Sequence, residues 1–118
     1  MNRHEIKAEA SLLEALQMLN RLPGAAMTLF VVAPRRRVVG SLTDGDIRRA
    51  LIAGASLADS VVSACHKSFR SVRAGAIDPA DLRRFRSEGI TIVPVLDGEG
   101  PVSYTHLRAH ETTLHLVC

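Results

Sequence analysis

The sequence predicts an α/β fold of the α+β kind, with small mixed sheets packed against helices. One unit, strand–helix–strand–strand–helix, is expected to occur twice. Three observations predict this. Short β-branched and aliphatic runs alternate with apolar stripes at helical spacing. The order of these runs begins again 63 positions later. Apolar residues make up 47% of the 118, yet the aromatics are one tyrosine and three phenylalanines, so the core must be aliphatic.

Taken in order, His4 to Lys7 is a short first strand. Ser11 opens a helix, and Glu14 follows at the spacing of a capping box. Leu12, Leu13, Leu16, Leu19 and Leu22 form its apolar stripe, and Pro23-Gly24 stops it. Met27 to Val32 reads as a buried strand, Ala33-Pro34-Arg35-Arg36 as a turn, and Arg37 to Leu42 as the returning strand of a hairpin with a basic tip. A second helix is expected from Ile47 to Ala53, with Gly54 as its stop signal. Gly54 to Ser60 is a loop, and Val61, Val62 and Cys65 form a short apolar patch.

The order then restarts. Ser68-Phe69-Arg70 stands 63 positions after Glu5-Ile6-Lys7, and Ile90 to Leu96 stands 63 after Met27 to Ala33. Between them Asp78 caps a helix running to Ser87, with Pro79 in the first turn, Leu82 and Phe85 facing inward and Gly89 closing it. Asp97 to Gly100 is a turn, and Pro101-Val102 begins the next strand. These boundaries give a first repeat over 1–60, an incomplete second repeat over 61–102, and a tail over 103–118. Without its own closing strand and helix, the second repeat is expected to be less stable than a complete one.

Composition narrows the function. The net charge is +3, and thirteen of the fifteen basic residues are arginine. Few aromatics leave little surface for stacking nucleotides, so Arg35-Arg36-Arg37 and Arg83, Arg84, Arg86 read as solvated faces and no nucleic-acid partner is expected. No apolar run reaches membrane-spanning length, no secretory start follows Met1, and Cys65 and Cys118 make no disulfide framework. A cytoplasmic protein without membrane contact is expected.

The chemistry concentrates in Gly40-Ser41-Leu42-Thr43-Asp44-Gly45-Asp46-Ile47, where a strand meets a helix. Thr43 or Asp44 can cap that helix, and capping is the better reading of Asp44. Asp46 lies one step further in, where its carboxylate can accept hydrogen bonds from a ligand. Two carboxylates disfavour a bare phosphate there but suit the paired hydroxyls of a ribose. Arg48 and Arg49 are candidates for the phosphate. An Asp44–Asp46 metal pair for phosphoryl chemistry lacks a third carboxylate or a lysine in reach. Adjacent Cys65 and His66 do not orient one another as nucleophile and base, and no catalytic residue is assigned. His106 and His110 have zinc-ligand spacing on a helix, but an accident of the tail is the better reading, and no metal site is assigned.

The repeat and the motif together resemble a tandem pair of CBS domains, the regulatory modules of the cystathionine β-synthase type. That family carries Gly-x-x-Thr/Ser-x-x-Asp before its last helix, here Gly40, Thr43 and Asp46, and a Pro-Val in its middle strand, here Pro94-Val95. At the same spacing His106 stands where Thr43 stood and Ala109 where Asp46 stood, so the signature occurs once. The resemblance implies that Asp46 holds a ribose with Thr43 near ribose or phosphate, and that Ile6 is an apolar wall for the base. It implies an adenine nucleotide (AMP, ADP or ATP) as ligand, no tightly held cofactor, and a homodimer. The alternative is a ligand-free dimerisation scaffold.

Leu29-Phe30-Val31-Val32, Gly40 to Arg49 and Phe69-Arg70 are similar to the N-terminal CBS region of bacterial sugar-phosphate nucleotidyltransferases. That likeness implies a non-catalytic fragment whose partner is a C-terminal catalytic domain. Ser103 to Thr112 resembles a translated sequencing adaptor, which implies a non-native tail carrying no selected information.

Overall fold

A computed structural model describes residues 4–22, 27–98, 100–107 and 116–117. The chain forms two compact units, Met1–Phe69 and Arg70–Cys118.

In the first unit, β1 (Glu5–Lys7), α1 (Leu12–Arg21), β2 (Thr28–Ala33), β3 (Arg37–Thr43) and α2 (Asp44–Ile52) follow the expected order. The sheet runs β1-β2-β3, with β1 parallel and β3 antiparallel to β2. The parallel pair needs a crossover, which α1 supplies. Ser11 caps α1 by accepting from the Glu14 N–H at 3.2 Å. The expected stop at Pro23-Gly24 lies outside the described residues, and Leu22 stands at the C-cap. Leu12, Ala15 and Leu19 of α1 pack with Ile6, Leu29, Val31, Leu42, Ile47 and Val61 in a core without an aromatic ring. Leu29 and Val31 alternate with Phe30, which lies on the opposite face and meets Phe69 edge-on at 6.4 Å between centroids.

Several features differ from the sequence reading. α2 begins at Asp44 rather than Ile47, because its polar first turn is held by side chains and not by an apolar stripe. The first unit runs on past Ser60, because Val61 donates to the Ala10 carbonyl at 2.9 Å and buries its side chain wholly. The repeat is also not uniform in spacing, as the second unit shows.

That unit holds β4 (Val72–Arg73), α3 (Pro79–Ser87), β5 (Ile92–Asp97), β6 (Gly100–His106) and β7 (Leu116–Val117), in sheet order β4-β5-β6-β7. Asp78 caps α3 through the Ala80 N–H at 2.9 Å, and Leu82 and Phe85 face a core with Val72, Val93 and Val95. The strand expected at Ser68 to Arg70 forms instead at Val72–Arg73, where a β-branched residue can fill the place of Ile6. In β5, Val95 answers to Val31, one residue beyond the expected spacing. Both strands carry a register shift at that point, between Val31 and Val32 and between Val95 and Leu96.

The returning strand is not missing. β6 continues through Ser103, Tyr104, Thr105 and His106, all paired with β5. His106 meets Ile92 as the last pair, the place Thr43 holds opposite Thr28. A strand asks for little beyond β-tolerant residues and an open ladder edge, so Ser-Tyr-Thr-His suffices. The position of a fourth helix, with Ala109, His110 and His115, lies outside the described residues.

One atom of β6 fits poorly. Thr105 pairs with Val93 as Leu42 pairs with Leu29, and it is 1% exposed. Its Oγ1 is buried with no hydrogen-bond partner among the described residues. Such a hydroxyl costs about 1–3 kcal/mol. Thr105→Val should therefore raise stability by about 1 kcal/mol in urea unfolding, with an unchanged dependence on denaturant. A fall in stability would show that the hydroxyl is satisfied.

Candidate functional site

The β3–α2 junction is built by its own side chains. Thr43 is extended (φ −116°, ψ 168°) and is the N-cap of α2, so Thr43 and not Asp44 does the capping. Its Oγ1 accepts from the Asp46 N–H at 3.2 Å and donates to Asp46 Oδ2 at 3.0 Å. The same Oδ2 accepts from the Thr43 N–H at 3.0 Å, which completes a capping box. Asp46 Oδ1 accepts from Arg49 Nη2 at 2.6 Å. Asp44, in the first turn, pairs instead with Arg48 one helical turn on.

The two arginine pairs differ in setting. The Asp46 side chain is 14% exposed, and its partner Arg49 is 73% exposed. Asp44 and Arg48 are both well exposed, so their pairing is worth little. Each aspartate thus has its own cation. Among the described residues no cluster of three His, Cys, Asp or Glu could hold a metal ion.

The structure brings Thr43, Asp46 and Arg49 together, with Arg48 beside them on Asp44. Ile6 is elsewhere. It lines up with Val31, which pairs with Gly40, whereas Thr43 pairs with Thr28 at the end of the sheet. Ile6 is 2% exposed and belongs to the core.

The sequence reading missed the segment that covers β3. Ser41 and His66 exchange both backbone hydrogen bonds, 2.9 Å from the Ser41 N–H and 2.7 Å from the His66 N–H. This lays Cys65 and His66 directly over Gly40. A Cβ at Gly40 would stand 2.7 Å from the His66 carbonyl oxygen and 2.8 Å from Cys65 Sγ. The motif's glycine is therefore a place where another backbone comes close. A glycine inside a β-branched run was the available signal. Burial pushes the Cys65 thiol above its ordinary pKa; Lys67 and a backbone hydrogen bond pull it down, and the Asp46 carboxylate pushes it up.

With this geometry in hand, residues 3–53 match the family model of the CBS domain. Solved structures extend the likeness over both units. The chain has the CBS fold. Staphylococcus aureus OpuCA is 21% identical with a TM-score of 0.67, covering 90% of this chain and 86% of that one. The CBS domains of a transcriptional regulator from Streptococcus pneumoniae are 16% identical with a TM-score of 0.69, over 86% of this chain and 81% of that one. The cytosolic domain of the Mg2+ channel MgtE, solved in complex with ATP, is 20% identical with a TM-score of 0.67; it is matched over 86% of this chain and 41% of its own. No curated protein sequence matches the chain. The CBS signature glycine, threonine and aspartate are the residues at the covered strand, the N-cap and the reciprocal carboxylate. Among the described residues no helix is long and apolar enough to cross a membrane.

Proposed function

We propose that this chain is a regulatory CBS module that binds an adenine nucleotide through the ribose and acts on a catalytic partner by coupling free energy. In the finer form of this reading, the partner is a C-terminal nucleotidyltransferase domain that activates sugar phosphates. The module itself is non-catalytic, works in the cytoplasm, and ends in an adaptor-derived tail; the Thr105 hydroxyl, in the place of Leu42 and without a partner among the described residues, supports that origin.

The division of labour on Asp46 carries the reading. Oδ2 is committed to the cap, whereas among the described residues Oδ1 is held only by the exposed Arg49. A ribose hydroxyl that donates to Oδ1 replaces one charge-assisted hydrogen bond with another, so the carboxylate is not left unpaired. Arg49, once released, remains near the bound sugar and can meet its phosphate. The ATP complex of MgtE supports the choice of ligand class.

Isothermal titration with AMP, ADP and ATP tests the reading. Heat from at least one of the three is expected, and none from any of them contradicts it. A second reading rests on the same bonds. Thr43, Asp46 and Arg49 satisfy one another without a ligand, which suits a scaffold that only dimerises. Light scattering that shows a ligand-independent dimer, with silent titrations, would favour that scaffold.

A further inference from the structure

The β2–β3 turn of the first unit carries an unusual backbone. Pro34–Arg36 form a single 3-10 turn, yet Arg35 (φ 67°) and Arg36 (φ 56°) are both left-handed. Turn positions of this kind usually hold glycine or asparagine, because a Cβ disfavours them. Two consecutive arginines therefore cost stability, and the structure explains only one of them. Arg36 reaches Glu5, a carboxylate 3% exposed, at 3.4 Å. That contact pins the tip to β1.

Arg35 and Arg37 flank the pinned residue and are exposed. Neither has an ion-pair or hydrogen-bond partner for its side chain among the described residues. Lys7, also exposed, ends β1 at the same end of the sheet, since it pairs with Val32 two residues before the turn. The result is a small, pre-set cationic tip with two open guanidinium forks, a shape that matches carboxylates two at a time. Its footprint is too short to follow a nucleic-acid backbone. The chain's four aromatic rings are all buried or half-buried, which leaves none to stack bases.

We propose that this tip docks an acidic polypeptide segment, gripped by Arg35 and Arg37 and positioned by the Arg36–Glu5 contact. Fluorescence anisotropy of the full chain with a labelled ten-residue Asp/Glu peptide tests it. Binding that weakens as salt rises is expected. The double variant Arg35→Gly, Arg37→Ser should bind at least about tenfold more weakly. Arg35→Gly alone should raise the unfolding midpoint by about 4 °C, because glycine takes the left-handed conformation freely. Opposite signs for binding and stability separate a docking role from a structural one. No binding by the parent chain, or equal binding by the double variant, overturns the proposal. Tighter binding of a duplex DNA or an anionic lipid vesicle than of the peptide overturns it as well.

Discussion

Gly40→Ala is expected to destabilise the first unit by about 1–3 kcal/mol, the range for forcing extra volume into a packed interior. The added methyl meets a carbonyl oxygen at 2.7 Å and a sulfur at 2.8 Å. Neither is the free end of a flexible chain. The His66 carbonyl is fixed by its hydrogen bond to Ser41, and Cys65 lies between that bridge and the buried Val61. The strand or its cover must move, and Thr43 lies only three residues further along β3. Cys65→Ala in the same chain removes the sulfur clash but leaves the carbonyl, so it should restore only part of the loss. Urea unfolding of the parent and the two variants measures this. An unchanged midpoint in Gly40→Ala would show that the segment over β3 is not held there.

Asp46→Ala should cost about 1–2 kcal/mol of stability, since it strips the capping box and leaves the Thr43 N–H without its acceptor. That variant confounds folding with binding. Asp46→Asn separates them. An amide oxygen can still accept from the Thr43 N–H, so most of the cap survives. The ionised acceptor for a sugar hydroxyl is lost, and hydrogen bonds to charged groups are worth about 1.5–3 kcal/mol. Nucleotide affinity should fall by about tenfold to a hundredfold while the unfolding midpoint shifts little. A midpoint as low as that of Asp46→Ala would mean that the charge, not the geometry, holds the cap.

Much of this was legible in the residues. Ser11 and Asp78 announced their helices, because capping is a local interaction visible at fixed spacing. The strands of the first unit were legible from β-branched runs, and Leu82 and Phe85 from their helical period. The start of α2 was not, since Asp44-Gly45-Asp46 shows no apolar period and owes its helical state to Thr43 and the arginines. Asp46 stood out in the sequence as a candidate acid but not as half of a capping box. A carboxylate three residues after a threonine carries both meanings, and only the paired distances show that it serves the cap.

The second repeat misled for a different reason. A constant spacing of 63 assumed loops of equal length, but β4 forms three residues later than that spacing requires. Ser68 to Arg70 carries no buried β-branched residue, whereas Val72 does. The segment over Gly40 was beyond sequence reasoning. Nothing in Cys65 or His66 names Ser41 as its partner, because an isolated bridge leaves no periodic trace.

The central claim is that Asp46 holds a nucleotide's sugar while capping its own helix. The most direct test is the nucleotide-induced shift of the unfolding midpoint in the parent chain and in Asp46→Asn, for whichever of AMP, ADP and ATP binds. A ligand present at about a hundred times its dissociation constant stabilises by about 2.7 kcal/mol. The account predicts a clear upward shift in the parent and about half of it or less in Asp46→Asn at the same nucleotide concentration, since a tenfold to hundredfold weaker ligand still stabilises by about 0.4–1.4 kcal/mol. Equal shifts in the two proteins would contradict it.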